Sequence, residues 1–440
     1  MKTRIVLFVA VITSFTAFSQ KKWTLKECVD YALKNNITIK QNKLNVQLAQ
    51  KDVEIAKGNF LPDLNGSASP GFNFGSSIGQ SGSRISADNF RSGFNLNSST
   101  TLFNGFRNLN SYKQAQLGVE SSKLDLAKIE DDISLNVVNT YLNVLFAKEN
   151  LSVAEVQAEI SKKQIERAQA QFDAGAIPKG DLLNVQSTAA NDIQNVVTQE
   201  NSLNIALLRL AQLLQVSSTD FDVAKIDVGS PSAALLYQNS DEVYTKALTN
   251  RPEIEKAKLN IDNADLNIDL AKGAYLPSLS FSAGAGSSFQ NFFNEQFSND
   301  RFLKQIKDNM GYNLGFSLNV PLFNRFQTKN RVAKSMINRE QSEFALESEK
   351  LQLQQTIEQA FLDAKAAAKT YEAAQTSLEA QNEAFKNAQV SYDYGSMTQF
   401  DFDQVRTRLV NAEGAIIRAK YDYVFKTKVL KFYFGESIVD

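Results

Sequence analysis

Apolar and polar residues alternate with a period of two in four segments of the chain, at 64–74, 94–102, 279–286 and 312–322. One side of each segment is mainly apolar, and the other carries mostly Asn, Ser and Gly. This pattern predicts β-strands with one apolar face and one small polar face. Strands of about 10 residues have the length that spans an outer membrane.

A soluble β-sandwich would also give strands that alternate. Its outer face, however, would normally carry charged residues toward water. The polar faces here contain almost no charge, and aromatic residues are frequent on the apolar faces. The pattern therefore favours outer-membrane strands, and residues 76–91 and 290–310 are predicted to be exposed loops between them.

The pattern becomes helical after the second and the fourth strand segment. Residues 108–174 contain no proline and a single glycine, and residues 327–394 contain neither. Because a helix rises about 1.5 Å per residue, about 67 residues span about 100 Å, which requires a coiled-coil partner. Turns at Gly175 and Gly395 reverse the chain into returning helices. These are predicted at 181–216 and 401–434.

Shorter helices precede the strands. Thr24 and Glu27 form a capping box that opens a helix at 25–33, and further helices are predicted at 37–57, 241–248 and 253–272. Proline follows the second and the fourth of these helices and prevents their continuation. Two short helices stacked end to end could cover one long helix.

The same order of elements occurs twice along the chain. Two motifs occur twice. Ala-Lys-Gly-x-x-Leu-Pro-x-Leu begins at Ala56 and again at Ala271, and Leu-Phe-Asn-x-Phe begins at Leu102 and again at Leu322. A repeat of this size predicts a pseudo-symmetric molecule, unlike solenoid repeats of about 20–50 residues. The predicted boundaries are a first repeat at 20–216, a linker at 217–239 and a second repeat at 240–440.

Residues 1–19 have the pattern of a cleaved signal peptide. Lys2 and Arg4 precede an apolar stretch, and Ala17 and Ser19 place small residues before a cut at Gln20. The alternative, a membrane anchor, would need about 20 apolar residues. The sequence therefore predicts export.

Composition narrows the function further. A net charge of −1 gives no basic field for nucleic acid. The chain has no histidine and one cysteine, Cys28, so it lacks the usual zinc ligands and general base. We find no nucleophile–base pair. The sequence predicts a protein that is not an enzyme, with no catalytic residues, cofactor or metal.

Four strands cannot form a stable sheet alone in a bilayer, because the edge N–H and C=O groups would be unpaired in hydrocarbon. Several copies must each give four strands to one barrel in outer-membrane lipid, with the long helices forming a tube around the same axis. The fold class predicted is mixed α and transmembrane β. The alternative function is a periplasmic coiled-coil scaffold without a pore, in which the β segments are soluble hairpins.

The chain resembles the TolC-type outer-membrane efflux proteins over essentially its whole mature length. The resemblance runs from Trp23-Thr24-Leu25-Lys26-Glu27, through the two Leu-Pro-x-Leu strand entries, to Lys428-Val429-Leu430-Lys431-Phe432-Tyr433-Phe434-Gly435. It implies a homotrimer with a 12-stranded β-barrel continued by a periplasmic helical barrel. It also implies a periplasmic adaptor protein and an inner-membrane pump of the RND or ABC type, and this pump selects the cargo.

The resemblance also implies a closed periplasmic gate at the hairpin turns. Its residues here are Asp401, Asp403, Tyr392 and Asp181, and the turns that dock the adaptor hold Gly175, Ala176, Gly395 and Ser396. The second acidic gate position is Gln404, with Asp403 adjacent; Met397 stands where the family has a bridging arginine, and Gly180 where it has threonine. Three copies of Asp401 round a narrow mouth would attract cations. Alternatively, Asp401 and Asp181 cap the returning helices.

Overall fold

A computed structural model describes residues 22–78, 82–86, 88–226, 237, 239–293 and 299–438. The predicted signal peptide and part of the predicted linker lie outside these residues. None of the described helices has the length and apolar character needed to cross a bilayer.

The elements follow the predicted order twice. They are β1 (Lys22–Trp23), α1 (Leu25–Asn35), α2 (Ile37–Gly58), β2 (Asn65–Asn73), β3 (Ser76–Ile78), β4 (Arg84–Ser86), β5 (Asn89–Phe103), α3 (Arg107–Asp173), α4 (Lys179–Leu214), β6 (Asp222–Val223), α5 (Ser240–Asn250), α6 (Pro252–Gly273), β7 (Ser278–Phe292), α7 (Phe302–Asp308), β8 (Gly311–Asn319), α8 (Gln327–Asp393) and α9 (Gln399–Phe434).

Corresponding helices of the two repeats have equal lengths. The pair α1 and α5 has 11 residues each, α2 and α6 have 22, α3 and α8 have 67, and α4 and α9 have 36. The two uninterrupted long helices are therefore confirmed. The capping box of α1 is also present: Glu27 N donates to Thr24 Oγ1 over 3.2 Å, and Thr24 N donates to Glu27 Oε2 over 3.0 Å.

The four predicted strands form one antiparallel sheet in the order β2-β5-β7-β8. Directly opposed residues share a face, so the register sorts the side chains. The apolar face carries Ala68, Phe72, Phe90, Phe94, Leu96, Phe289, Ala285, Phe281, Tyr312, Leu314, Phe316 and Leu318. The other face carries mainly Asn, Ser and Gly, and Arg91 is the one charged residue of these four strands. The predicted alternation is confirmed.

Strand β8 ends earlier than the alternation predicts. It stops at Asn319, although the pattern continues to residue 322. Pro321 explains the difference, because a proline has no N–H to donate to a ladder.

The predicted loops contain further structure, so that prediction was wrong in part. Residues 76–91 include the β3–β4 hairpin, and residues 290–310 include α7. The Gln305 side chain donates to the carbonyl of Gln290 over 2.8 Å and accepts from its N–H over 3.0 Å. Asn309 Nδ2 donates to the Ser288 carbonyl over 2.7 Å. Helix α7 thus covers the part of β7 that extends beyond β8.

The chain divides into two compact units, each built from both repeats. One, the helical unit, comprises the described parts of 22–40, 128–251 and 352–438. Its core packs around fully buried Tyr141, whose hydroxyl proton is shared between the carbonyl oxygens of Ala224 at 2.7 Å and Trp23 at 3.0 Å. Burial raises the pKa of Tyr141. Part of the predicted linker belongs to this core, since β6 pairs in parallel with β1.

The other, the strand unit, comprises the described parts of 41–127 and 252–351. The strand-to-helix junctions before α3 and α8 both use left-handed backbone, at Gly105 (φ 68°) and at Arg325 (φ 54°). Gly105 crosses Gly273 so closely that a Cβ on Gly105 would overlap the Gly273 carbonyl. This crossing fixes the end of α6 against the start of α3.

Candidate functional site

Two hairpin turns of the helical unit form the candidate site. The α3–α4 turn passes through Gly175 (φ 74°) and the α8–α9 turn through Gly395 (φ 73°). In each, the residue after the glycine closes the long helix: Ala176 N donates to Gln171 O over 2.8 Å, and Ser396 N donates to Ser391 O over 2.9 Å. These are left-handed glycine C-caps, which reverse the chain as predicted.

A cleft of about 1000 Å³ lies between the two turns. Six of the eight predicted site residues line it: Ala176, Asp181, Tyr392, Gly395, Ser396 and Asp403. Met397, at the position of the family's bridging arginine, lines it as well. Gly175 and Asp401 are not among its lining residues. The cleft combines two carboxylates and a phenol on a partly apolar surface.

Asp401 is held by the cap of α9 but is not itself the cap. Thr398 is the N-cap: its hydroxyl accepts from Asp401 N over 3.1 Å and donates to Asp401 Oδ2 over 2.7 Å. Helix α4 has Pro178 at its N-cap, without a side-chain bond, and Asp181 lies in its first turn. The alternative that Asp401 and Asp181 are N-caps is therefore wrong. Both stand where a helix dipole stabilises negative charge.

Asp403 has an oxygen without a partner. Its Oδ2 accepts from Gln399 Nε2 over 3.0 Å. Its Oδ1 is buried and has no hydrogen bond within the described part of the chain. Because a buried acceptor without a donor is costly, this oxygen lowers the stability of the packing around it.

Tyr392 is half-buried and stacks on Phe402, with ring centroids 4.8 Å apart and planes at 17°. Burial raises the pKa of Tyr392; the Arg167 guanidinium opposes this rise, and the carboxylates of Asp403 and Asp181 add to it. The phenol therefore keeps its proton at neutral pH and can donate a hydrogen bond in the cleft.

An ion pair that the sequence did not predict links the two hairpins beside the cleft. Arg167 on α3 pairs with Asp393, the last residue of α8, and its guanidinium lies 5.7 Å from the Tyr392 ring centroid. The hydrogen bond from Arg167 holds the pKa of Asp393 below its ordinary value. An arginine from the opposite hairpin thus supplies a link that position 397 cannot.

A buried polar network lies further along the same helices. Arg406 on α9 is 4 % exposed and pairs with Asp192 on α4. It also donates to Ser161 Oγ over 2.5 Å and to the side chain of Gln157 over 3.3 Å, both on α3. Ser161 in turn donates to Asp192. One side chain therefore joins three helices from both repeats.

Sequence reasoning missed this network, although a signal was present. Arg406 falls on the same helical stripe as the buried Phe402 and Leu409, at spacings of four and three. A charge at such a position is either a solvated exception or a buried ion pair. Beyond it, Gln157 donates to Glu413, and burial raises the pKa of that carboxyl.

Within the described ranges, no three Cys, Asp or Glu residues are grouped so that they could hold a metal ion.

Comparison with known proteins gives the family. The sequence model of the outer membrane efflux protein family matches residues 28–215 and 243–436. TolC of Escherichia coli is 23 % identical over 312 residues, which cover 70 % of this chain and 62 % of TolC. The match therefore spans less than two thirds of that relative's length. The outer membrane efflux protein BepC of Brucella suis is 23 % identical over 441 residues, covering 98 % of this chain and 88 % of BepC.

Solved structures give the same fold. The CmeC outer membrane channel of Campylobacter jejuni superposes with a TM-score of 0.74 at 21 % identity, covering 93 % of this chain and 85 % of CmeC. The family consists of outer membrane channel proteins rather than enzymes, which confirms the prediction of a non-enzymatic function. The duplicated helices, the four-stranded sheet and the two matched segments together make this chain a member of the outer membrane efflux protein family.

Proposed function

We propose that this chain is one subunit of a passive exit duct in the outer membrane. It receives substrates from an inner-membrane pump of the RND or ABC type through a periplasmic adaptor, and it uses no energy of its own. The observation that carries the proposal is the four-stranded sheet, which has one apolar face and two outer strands available for pairing.

The edges of the sheet support closure by further copies. The outer strands β2 and β8 have nine residues each and run in opposite directions, so β8 of one copy can pair antiparallel with β2 of the next. The ends of these two strands that lie farthest from the helices are staggered. Strand β2 ends opposite Asn89 of β5, whereas β8 begins at the level of Asn95 of β5. Strands in a closed barrel require such a stagger and tilt. Three copies, as in the family resemblance, would give a 12-stranded barrel.

Aromatic pairs at two levels of the apolar face support its placement in lipid. Phe90 and Phe289 lie 6.1 Å apart, and Phe281 and Phe316 lie 5.0 Å apart. The two levels are ten residues apart along β5, because Phe281 lies opposite Thr100. At about 3.3 Å per residue and a tilt of about 40°, they are separated by about 25 Å along the membrane normal. Outer-membrane barrels carry an apolar band of about this height between aromatic girdles.

The remaining assignments follow from this placement. Residues 1–19 would direct export and be removed, and the repeats at 20–216 and 240–440, joined by 217–239, would continue the barrel as a helical tube in the periplasm. The hairpin turns would then form the periplasmic entrance. Adaptor hairpins would dock at Gly175, Ala176, Gly395 and Ser396, beside the acidic cleft.

We assign the periplasmic gate to Asp401, Asp403, Tyr392 and Asp181. The pair of Arg167 with Asp393 would hold the two hairpins of one subunit together in the closed state. An exposed pair of this kind is worth at most about 1 kcal/mol, which suits a link that an adaptor must break.

Single-channel recording of the purified mature protein in a planar bilayer tests the proposal. We expect small, discrete, cation-preferring conductance from particles with threefold symmetry. A monodisperse, water-soluble protein that neither inserts nor conducts would overturn it and favour the alternative, a periplasmic scaffold without a pore.

The acidic mouth gives a further prediction. The double variant Asp401→Ala with Asp403→Ala removes six carboxylates per trimer, so we expect weaker cation selectivity and weaker block by trivalent cations. Reversal potentials in a salt gradient measure the first and added lanthanide the second. Glu379→Ala, an exposed charge on α8, is the matched control. Unchanged selectivity and block in the double variant would show that the carboxylates do not line the constriction.

A further inference from the structure

The internal duplication allows one contact within the chain to predict another between chains. Helix α6 of the second repeat contacts α3 of the first. Gln114 Nε2 on α3 donates to Asn267 Oδ1 and to Asn263 Oδ1 on α6, each over 2.9 Å. Nearer the strands, Gly105 crosses Gly273. The other flank of α6 faces α8, where Arg339 donates to Asp265.

Helix α2 is the counterpart of α6 in the first repeat. The residues that directly follow α2 contact α3 of the same repeat: Asn108 Nδ2 donates to the carbonyl of Asn59 over 3.0 Å, and the Phe60 and Tyr112 ring centroids lie 6.4 Å apart. In the part of α2 that belongs to the strand unit, three large apolar side chains are more than half exposed: Leu44 at 56 %, Leu48 at 65 % and Ile55 at 67 %.

Helix α8, the counterpart of α3, carries a matching exposed stripe. Ile337, Phe344 and Leu351 follow one another at intervals of seven residues and are 58 %, 67 % and 66 % exposed. A heptad interval of this kind marks a seam that packs against another helix. Exposed apolar stripes on two helices of a strand unit indicate a docking surface.

We infer that α2 packs against α8 of a second copy of this chain in the way that α6 packs against α3 within it. The inference rests on the proposed oligomeric duct. It specifies which residues meet at the seam, meaning the contact between α2 of one copy and α8 of the next. Helices α2 and α6 begin 215 positions apart, and α3 and α8 begin 220 positions apart. With these offsets, Asn267 corresponds to Asp52 and Gln114 corresponds to Lys334.

The predicted pair is complementary in charge. Within the chain, Gln114 and Asn267 form a hydrogen bond. The residues that correspond to them between copies, Asp52 of one copy and Lys334 of the next, would form an ion pair. Both side chains are exposed, and neither has an ion-pair partner in the described part of the chain. The same offsets bring Leu48 beside Lys334 of the next copy, so the apolar stripe of α2 continues along the seam.

The crossing of Gly105 with Gly273 has a counterpart as well. It becomes an approach of Gly58 to Arg325 of the next copy. A Cβ on Gly58 would meet nothing within 4 Å in the isolated chain, which leaves space for the larger residue. Each copy offers one α2 and one α8, so the contact is head to tail, and it gives a ring when the rotation between copies closes, as in the proposed trimer.

Site-specific cross-linking tests the register. The variant Asp52→Cys with Lys334→Cys is treated with a short bismaleimide, since a hydrogen-bonded Gln–Asn pair does not imply the close Cα approach of a disulfide. We expect covalent dimers and trimers on a denaturing gel. Asp52→Cys alone and Glu54→Cys with Lys334→Cys are the controls, because Glu54 lies on another side of α2. The native Cys28 is buried.

A charge exchange gives the second test. Asp52→Lys should reduce the yield of trimer, and adding Lys334→Asp should restore it. Cross-linking that is equal in the Glu54 control, or absent from a protein that is trimeric and conducts, would overturn the seam while leaving the proposed duct intact. Absence of any oligomer or conductance in the unmodified protein would instead overturn the duct itself.

Discussion

Replacing Arg406 by alanine should loosen the packing of α9 against α3 and α4 by about 3 kcal/mol. The variant leaves Asp192 as a partly buried carboxylate without its cation, and breaking a buried ion pair typically costs about 3–5 kcal/mol. Ser161 and Gln157 also lose their donor. Because 1.4 kcal/mol is about tenfold in an equilibrium constant, amide hydrogen exchange along α9 should accelerate about 100-fold.

Arg408→Ala is the matched control. It removes the same side chain two residues away, where it is exposed and its polar contact is to Gln404 at 3.5 Å. Little change is expected there. Equal acceleration of exchange in both variants would mean that the buried contacts of Arg406 do not stabilise the packing of α9. Replacing both charges by apolar residues, as in Arg406→Met with Asp192→Leu, should recover part of the loss, since well-packed apolar pairs can replace buried ion pairs.

The exchange Gly105→Arg should destabilise the strand unit by about 3 kcal/mol or more. It places a side chain on a left-handed residue, at a cost of about 1–2 kcal/mol, and drives its Cβ into the Gly273 carbonyl, which adds at least the 1–3 kcal/mol of an overpacked site. Denaturant unfolding of the purified protein and the yield of folded protein in the membrane both measure the effect.

The second repeat provides the reciprocal experiment. Arg325 already occupies the equivalent left-handed position, so Arg325→Gly should relieve that strain and be neutral or stabilising by up to about 1 kcal/mol. If Gly105→Arg and Arg325→Gly had equal and small effects, the crossing would not require glycine, and the difference between the two junctions would have no energetic meaning.

The sequence predicted the features that depend on periodicity and on backbone chemistry. Uninterrupted helical pattern gave both long helices nearly to the residue, and the turn glycines gave the reversals at Gly175 and Gly395. The strands followed from alternation, but three of their bounds were wrong. Strand β5 begins five residues before the predicted segment, β7 ends six residues after it, and β8 ends early where Pro321 removes a donor.

Features that depend on contacts across the chain were not predicted. Arg406 looks like any surface arginine until α3, α4 and α9 are packed together. Asp401 could be taken for a cap because acidic residues favour both N-cap and first-turn positions, and only the cap geometry separates them. Helix α7 was missed because a seven-residue helix stabilised by Gln305 has too few turns to give a period.

The order of strands in the sheet has a consequence for biogenesis. Strands β2 and β5 pair within one repeat, but the other partner of β5 is β7 of the second repeat. Asn97 therefore cannot pair with Gly284 until the second repeat has been synthesised. At roughly 5–20 residues per second, the interval between their synthesis is about 10–40 s. Throughout it, a two-stranded hairpin with an apolar face and an open edge is exposed to water, a state prone to aggregation. Cells that make this protein should therefore depend on a chaperone that holds the first hairpin until the second repeat is available to pair with it.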